Sequence, residues 1–496
     1  MNDTAGGLKK TLKRRHLFTL GVGTIVGVAW LMVLGTVLAS AGPLGAIVGF
    51  VVGAVAMIPI GLCYGELAGV LPYAGGEIVY AYEFFGVRWA YVAGLCLAFI
   101  YIINCIFFAV SVGWLCNELV PGIQGPALYT VLGAAVHAGD VLIGCVVSVG
   151  LLAAHWRGAR DAARVQDIAT YTLLGATCIF VVIGIARGSA VNLHPLMAPS
   201  SWGWGLGGIF SALAVTPYFF GGFNTIPQAT AELENPGDRR RIASILAGCI
   251  LISLLFYCLV LVAVSMVLPR AQLLSYELPV AQAFRVAFRS NVLADLVLVG
   301  GLLGLIAVWN ALFFAASRVL FALGRSRLMH PSFGIVGAGG AAPTRALAFV
   351  TVLSILGLFL GKGVLLPVVN VTSTLFALMY AIVCFAVIRL RRERRRGGRL
   401  DAASGAGERG DGGGTGGYRV PGGPWLVWAA AAFSVYLIVL SLVQQRMDAD
   451  GRTPAEWWLL LTLGLAGWAL WAYTAGARRS VSETERRRIV MEDPAA

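Results

Sequence analysis

The amino-acid sequence predicts an all-α polytopic membrane protein, and three observations lead to this fold class. The 496 residues are 58% hydrophobic, and their mean hydropathy is +0.81. Only 12% are charged, whereas soluble proteins carry roughly 25% charged residues. Two glycine-rich interruptions, residues 21–27 and 219–223, lie about 200 residues apart, each inside a long apolar stretch. Since a helix in hydrocarbon must satisfy its own backbone groups, such paired interruptions indicate a binding site.

Apolar runs separated by glycine, proline and charged residues predict twelve transmembrane helices. A run of about 20 apolar residues is long enough to cross the hydrocarbon core as a helix. The predicted spans are 16–40, 44–70, 88–118, 139–156, 165–187, 203–231, 240–268, 291–324, 343–361, 364–390, 424–444 and 455–475.

The basic residues predict the orientation of these spans. If the N-terminus is inside, the inner segments hold 29 Lys and Arg, the outer segments hold 7, and Arg318 alone lies within a span. Cytoplasmic loops carry such an excess of Lys and Arg. Both the N-terminal segment 1–15 and the tail 476–496 are therefore predicted to be cytoplasmic. The predicted location of the protein is the inner (plasma) membrane of the cell. The net charge of +13 comes from short loops between spans, which argues against a nucleic-acid partner.

The inner loop 391–422 is rich in arginine and glycine and has almost no apolar residues. This composition predicts a disordered cytoplasmic loop. Its arginines suit anionic lipid headgroups. Two roles are open for the loop: an anchor that fixes the topology, or a regulatory element.

The helix starts indicate an internal repeat. Starts at 44, 88, 139 and 165 recur about 200 residues later, at 240, 291, 343 and 364. Because each copy has five helices, the second enters the bilayer from the opposite side, which defines an inverted repeat of residues 16–187 and 203–390. The spans in 424–475 lie outside the repeat, and packing or a homodimer contact is the expected role.

The first interruption, Gly21-x-Gly23-x-x-x-Gly27, admits three interpretations. A nucleotide-binding loop is excluded, because no strand precedes it and no acidic residue follows at the required distance. GxxxG helix packing stays open, since Gly45-x-x-x-Gly49-x-x-x-Gly53 and Gly61-x-x-x-Gly65-x-x-x-Gly69 repeat the pattern. An unwound substrate site is favoured because a second interruption accompanies the first.

The second interruption reads Thr216-Pro217-Tyr218-Phe219-Phe220-Gly221-Gly222-Phe223-Asn224. The proline removes a backbone donor and obstructs the preceding turn, and the two glycines leave helical geometry at little cost. Half-helix N-termini suit a carboxylate and half-helix C-termini suit an ammonium group, so paired breaks suit a zwitterion. The three aromatic residues are candidates for closing over a substrate, or for ordinary core packing.

Polar residues within apolar spans are further candidates, because burying them in a membrane is costly. Asn104 lies in the third helix with Tyr101 one turn earlier, and Asn310 lies in the corresponding eighth helix. A structural bond between helices is the alternative for Asn310. Ser317 is a speculative cation ligand. Glu66, Glu77 and Glu83, at the inner end of helix 2 and in the following loop, are expected to serve gating or packing.

Five segments, in order, resemble the amino acid–polyamine–organocation permeases: GVGTIVGVAW, AGPLGAIVGF, YGELAGVLPYAGGEIVYAYEFFG, FFGGFNTIPQATAELENPGDRRRIASI and NALFFAASRVLFALGRSRLMHP. The resemblance covers helices 1 to 10. It implies a LeuT-like fold with helices 1 and 6 unwound and transport of amino acids or related amines by alternating access. It also implies that the substrate carboxylate lies near Thr24, Ile25, Val26 and Gly27. The amino group would lie near the carbonyl groups of residues 218–221, with Tyr218 as a gating aromatic.

Two positions depart from the family pattern. Asn224 stands where many relatives have an acidic residue, which argues for neutral amino acids. Leu173 stands where some proton-coupled relatives have a lysine, so a lysine-based proton relay is not expected. Coupling to H⁺ or Na⁺, exchange and facilitated diffusion all stay open.

The sequence therefore predicts a secondary amino acid transporter and not an enzyme. The alternatives are an amine, polyamine or cationic amino acid exchanger of the same fold, a sensor that no longer transports, and a membrane-embedded transferase. No convergent Asp, His or Cys set supports the transferase. The nine cysteines form no CxxC pair and no Cys/His cluster with metal spacing, so neither a metal nor a cofactor is expected.

Overall fold

The computed structural model describes residues 14–27, 29–73, 75–157, 162–198, 206–228, 233, 235, 241–273, 276, 278–335, 343–396, 418–448 and 453–490. Within these residues the chain is mostly helical. Eight of the described helices are long and apolar enough to cross a membrane. Parts of four predicted segments lie outside the described residues: residues 1–13 of the N-terminal segment 1–15, loop residues 397–417, tail residues 491–496 and both ends of the span 203–231.

The described residues up to 187 form six helices and a β-hairpin. The helices are α1 (Arg14–Val26), α2 (Ala29–Val70), α3 (Glu77–Phe85), α4 (Val87–Leu119), α5 (Ala138–Arg157) and α6 (Ala162–Arg187). The hairpin pairs β1 (Ala127–Val131) with antiparallel β2 (Ala134–His137).

The second part forms shorter pieces around three long helices. These are α7 (Leu206–Ala214), α8 (Thr216–Phe219), α9 (Thr225–Gln228), α10 (Ile242–Val267), α11 (Arg270–Leu273), α12 (Pro279–Phe288), α13 (Asn291–Arg325), α14 (Thr344–Leu358) and α15 (Leu365–Arg395). The C-terminal part contributes α16 (Pro424–Asp448), α17 (Ala455–Tyr473), α18 (Ala475–Arg479) and α19 (Glu483–Val490).

Both predicted helix interruptions are present. Helix α1 ends at Val26. The next residue, Gly27, has φ +44°, and α2 begins at Ala29. A second break at Gly42 (φ +72°) divides α2 near the predicted boundary between the first two spans. In the sixth predicted span, α8 and α9 are separated by non-helical residues 220–224, with Gly222 at φ +105°. Left-handed backbone of this kind favours glycine, which explains the residue type at each break.

The first break is shorter than the glycine pattern predicts. Gly21 and Gly23 lie inside helix α1 and are buried. A Cβ atom at Gly21 would lie 2.5 Å from Ile226 Cδ1 and 2.8 Å from Cys249 Sγ. Gly21 therefore serves helix packing, and only Gly27 departs from the helix.

The glycine repeats of α2 also serve packing. A Cβ at Gly49 would lie 2.6 Å from Ala212 Cβ in α7, and one at Gly65 would lie 2.6 Å from Ala243 Cβ in α10. These close backbone approaches place α2 directly against α7 and α10. They confirm that part of the glycine pattern in this chain brings helices together.

Three regions differ from the sequence-based boundaries. The predicted loop after helix 2 contains helix α3, and α15 continues to Arg395, five residues into the predicted disordered loop. At the far end of that loop Val420 is buried, and its N–H donates to Glu66 Oε2 over 2.9 Å. The described ends of the loop are thus held to the helices.

The tail after residue 476 forms two helices. Arg487 in α19 contacts both carboxylate oxygens of Glu83 in α3, at 2.7 and 3.0 Å. Helix α16 packs against α15 and α2, whereas α17 presents large exposed side chains, Trp458 and Trp468 among them. Such an apolar face fits lipid as well as a second copy of the chain.

A pair of substitutions in α2 tests the packing role of its glycines. Gly65→Ala places a methyl group against the backbone of α10, 2.7 Å from Ala243 Cα, and we expect it to destabilise the protein by about 1–3 kcal/mol. Gly69→Ala meets no atom within 4 Å, so its better helix propensity stabilises by up to about 1 kcal/mol. Thermal unfolding of both variants in detergent measures the difference, and equal shifts of both Tm values would contradict this interpretation.

Candidate functional site

The two interruptions meet at one cavity in the middle of the helix bundle. Its wall consists of residues from α1, the following break, α4, α8, the 220–224 segment, α10, α13 and α15. The lining residues are Thr24, Ile25, Gly27, Ile100, Tyr101, Asn104, Phe108, Tyr218, Phe219, Gly221, Gly222, Tyr257, Val308, Leu312 and Phe376.

Thr24 and Gly222 bring the two interruptions into contact. A Cβ atom at Gly222 would lie 2.8 Å from the carbonyl oxygen of Thr24. The Thr24 hydroxyl lies 2.7 Å from the carbonyl oxygen of Leu20 and 3.1 Å from that of Gly222. The absence of a side chain at Gly222 therefore permits α1 and the 220–224 segment to touch.

Tyr257 of α10 joins the carbonyl ends of both interrupted helices. Its hydroxyl oxygen lies 2.8 Å from Ile25 O and 2.9 Å from Phe219 O. One hydroxyl has a single hydrogen to donate, so it satisfies only one of these carbonyl groups at a time. The other carbonyl is left without this donor beside the cavity.

Each interruption also contains amide groups that lack a helical partner. The first N–H groups of α2 have no acceptor within the helix, as at every helix start. The backbone N–H groups of Gly222, Phe223 and Asn224 donate to no acceptor among the described residues. Of these residues Gly222 lines the cavity, as do Ile25 and Phe219. Amide groups attract anionic groups and carbonyl ends attract cationic groups, so the Gly222 N–H and the carbonyl groups of Ile25 and Phe219 offer both kinds of partner.

Asn104 and Tyr101 supply the polar side chains of α4. The Asn104 amide nitrogen donates to Ile100 O over 2.8 Å and to Thr372 Oγ1 over 3.2 Å. The Tyr101 hydroxyl accepts from Asn224 Nδ2 over 3.3 Å and from Gln228 Nε2 over 3.0 Å. Both side chains are thus oriented by fixed hydrogen bonds while also facing the cavity.

Nine of the predicted site residues line this cavity. They are Thr24, Ile25, Gly27, Tyr101, Asn104, Tyr218, Phe219, Gly221 and Gly222. The break segments were predictable from their glycines, and the α4 residues from a polar side chain in an apolar helix.

The remaining predicted residues lie elsewhere. Gly23 and Val26 are buried in α1 outside the cavity wall. Phe220 packs behind the wall, 5.9 Å from the ring of Phe50. Asn224 is buried behind Tyr101, so its side chain does not form the pocket surface.

Asn310 and Ser317 of α13 also point away from the cavity. Asn310 contacts His155 of α5, which favours the structural alternative for this residue. The Ser317 hydroxyl donates to Phe314 O in its own helix over 2.7 Å. That hydrogen bond engages the hydroxyl within α13, so the geometry lends no support to Ser317 as a cation ligand.

Sequence reasoning missed six lining residues, and it assigned Glu77 to gating or packing without its link to the cavity wall. Ile100 and Phe108 lie four residues either side of Asn104 and so share its helix face, which is a usable signal, whereas nothing local singles out Val308, Leu312, Tyr257 and Phe376. Glu77 starts α3, is 0% exposed, and accepts hydrogen bonds from Tyr64 and Gln228. It is linked to the cavity through Gln228 and Tyr101.

Interrupted apolar helices that meet at a cavity with unpaired backbone groups define a membrane transport protein. The chain belongs to the amino acid permease family, whose model matches residues 12–468. It is a multi-pass membrane protein, and its family consists of transporters and not of enzymes.

Curated relatives span most of the chain. The branched-chain amino acid permease BcaP of Bacillus subtilis is 28% identical over 397 residues, covering 78% of this chain and 82% of that protein. The methylthioribose transporter of B. subtilis is also 28% identical, with the same coverage. Cationic amino acid transporter 7, chloroplastic, of Arabidopsis thaliana is 24% identical, covering 77% of this chain and 65% of that protein.

Replacing Tyr257 tests the link between the two breaks. Tyr257→Phe removes the only side-chain hydrogen that reaches Ile25 O or Phe219 O among the described residues. We expect a loss of about 1–3 kcal/mol in stability, because buried carbonyl groups are left unsatisfied. Thermal unfolding in detergent measures it. Tyr171→Phe, at a side chain that is 58% exposed, is the control and should leave Tm unchanged; an equal Tm for all three proteins would refute the bridging role.

Proposed function

We propose that this protein is a secondary transporter that moves neutral amino acids across the cytoplasmic membrane by alternating access. The observation that carries the proposal is the meeting of amide ends and carbonyl ends at one cavity, with Gly222 against Thr24. A zwitterion offers one charge to each kind of end. We place the carboxylate near residues 24–27 and the ammonium group near the carbonyl groups around Tyr218 to Gly221.

The wall of the cavity supports a neutral, apolar side chain. None of the lining residues is Asp, Glu, Lys or Arg. The wall beyond the polar backbone is made by Ile100, Phe108, Val308, Leu312 and Phe376. A charged substrate side chain would lose its hydration there without gaining a partner. Burying an unpaired charge in this way costs on the order of several kcal/mol.

The sequence argument for a neutral substrate rested on Asn224, but Asn224 lies behind Tyr101. The apolar wall of the cavity now supports that argument instead. Branched-chain amino acid permeases among the relatives agree with the proposal. The equally similar methylthioribose transporter shows that identity alone does not decide the substrate. The composition of the wall therefore carries the proposal on substrate class.

A cationic amino acid or amine exchanger is the second candidate. It is favoured by relatives named cationic amino acid transporters and by Glu77, which lies behind Tyr101 at the end of two hydrogen bonds. A cationic substrate would need Tyr101 to move aside before it reached this carboxyl.

For the architecture we propose twelve spans arranged as a five-plus-five inverted repeat, with α16 and α17 as the additional pair and both termini in the cytoplasm. Interrupted helices at matching points of the two halves, at Gly27 and at residues 220–224, support this arrangement. The excess of Lys and Arg in alternate loops supports the orientation.

Uptake into proteoliposomes tests the function. We expect labelled leucine to exchange against internal unlabelled leucine well above protein-free vesicles, and valine to compete. Labelled lysine and putrescine, assayed in parallel, report on the second candidate. Preference for lysine or putrescine would favour that candidate. If no compound exchanges, the proposed transport function is wrong.

Gly27→Leu tests whether the first break contacts the substrate. The new side chain starts at the cavity wall, 4.0 Å from Val308 Cγ2, and should fill the space beside the α1 end. We expect leucine binding to be lost, while strain from φ +44° costs about 1–2 kcal/mol. Scintillation proximity binding and thermal unfolding measure the two effects.

Gly125→Leu is the matched control. Gly125 has φ +63° and nothing within 4 Å of its Cβ position, and it lies before β1, away from the cavity. This variant should suffer similar strain and retain leucine binding. If Gly27→Leu also binds leucine normally, the first break serves only the fold.

A further inference from the structure

Glu77 is a buried carboxyl group held by two neutral donors. Its side chain is 0% exposed. The Tyr64 hydroxyl donates to Oε1 over 3.1 Å, and the Gln228 amide nitrogen donates to Oε2 over 3.1 Å. Asn224 also contacts this carboxyl. Both carboxylate oxygens therefore face hydrogen atoms of neutral groups.

The two neighbouring carboxyl groups on this side of the bundle have cationic partners, unlike Glu77. Glu66 pairs with Arg391 at 2.7 Å, and Glu83 pairs with Arg487 at 2.7 Å. No Lys or Arg in the described ranges forms an ion pair with Glu77. Burial raises the pKa of the Glu77 carboxyl, and its hydrogen bonds oppose this shift only in part.

Among the described residues, the titratable groups that interact with Glu77 are four tyrosines: Tyr64 in α2, Tyr80 in α3 itself, Tyr101 in α4 and Tyr380 in α15. Two charged groups that contact α3 are engaged elsewhere. Arg389 of α15 donates to Phe84 O, and Arg487 of α19 is bound to Glu83. Glu77 is thus the acidic group of this cluster that has no cationic partner among the described residues.

A short hydrogen-bonded chain connects this carboxyl to the cavity. Gln228 Nε2 reaches both Glu77 Oε2 and, over 3.0 Å, the Tyr101 hydroxyl. Tyr101 in turn accepts from Asn224 in the 220–224 segment and lines the cavity. Only one side chain separates the carboxyl from a residue of the cavity wall.

Protonation changes what this chain can bond. An ionised carboxylate only accepts hydrogen bonds, whereas a carboxylic acid also donates one. When Oε2 carries a proton, its O–H group and the Gln228 N–H group point hydrogen atoms at each other. The Gln228 amide must then turn to present Oε1, which alters its contact with Tyr101 and hence with Asn224.

We propose that Glu77 is the binding site of a coupling proton, so that amino acid and H⁺ cross the membrane together. This rests on the transport function proposed above. The carboxylate takes up one proton in one orientation of the transporter and releases it to the cytoplasm in the other. A metal cation such as Na⁺ does not suit the site, because it requires oxygen ligands whereas donor hydrogens surround the carboxylate.

The experiment compares labelled leucine uptake in proteoliposomes with the interior about one pH unit more alkaline and with no gradient. One coupled proton supports up to about tenfold accumulation under this gradient. Pyranine inside the vesicles records proton entry on leucine addition. We expect accumulation and proton entry for the native protein. Glu77→Gln should abolish proton entry and reduce uptake to the level without a gradient.

Glu83→Gln is the matched control, because it removes a carboxyl from the same helix that is paired with Arg487. It should keep the response of the native protein to the gradient. If Glu77→Gln still accumulates leucine, if Glu83→Gln loses the response equally, or if a sodium gradient alone drives uptake, the proposal is overturned. Absence of leucine, lysine and putrescine exchange in every condition would instead refute the transport function itself.

Gln228→Leu provides a second readout that does not require loss of the carboxyl. With its pKa raised, Glu77 is protonated below that pKa and loses its proton as the pH rises through it, so uptake at equal pH on both sides falls as pH rises. Removing the Gln228 donor removes an interaction that lowers the pKa. The midpoint of the pH profile should therefore move to higher pH, and an unchanged midpoint would contradict the role of Glu77 even if Glu77→Gln does not fold.

Discussion

The structure depends on the backbone groups that two interrupted helices leave without helical partners. In hydrocarbon such groups have no water to bind, so each must find a partner within the protein or in a cavity. Here side chains of the protein supply some of these partners. Tyr380 donates to Pro217 O over 3.2 Å, and Tyr257 serves Ile25 O and Phe219 O in turn. The Gly222 N–H, which has no acceptor among the described residues, belongs to the lining of the cavity, and most of the side chains around it are apolar.

The sequence predicted the breaks because their cause is local. Left-handed backbone at Gly27 and Gly222 favours glycine, and glycine is visible in the sequence. The long spans were predicted for a similar reason: α4 and α13 extend only as far as their apolar runs. Gly21 and Gly23 show the limit of that reasoning. They belong to the same motif as Gly27, yet they stay helical, and for Gly21 the reason is contact with Ile226 and Cys249, more than 200 residues away.

The residues that were missed act across long separations. Tyr257 contacts Ile25 from 232 residues away, and Phe376 reaches the cavity from α15. Neither is unusual within its own helix, so local pattern cannot select it. Glu77 was expected in a loop at the inner end of helix 2, serving gating or packing. Helix α3 instead turns it inward against Gln228, a contact that only the folded chain creates.

The single hydrogen of Tyr257 makes the two breaks dependent on each other. When it binds Ile25 O, Phe219 O lacks this donor, and the reverse holds when it binds Phe219 O. An ammonium group that occupies the free carbonyl removes the competition, so that both carbonyl groups are satisfied together. Substrate binding would then strengthen the contact between the α1 end and the α8 end, which already touch at Thr24 and Gly222. In the transport cycle that we propose, a bond shared in this way would couple occupancy of the cavity to the relative position of the two interrupted helices, as alternating access requires.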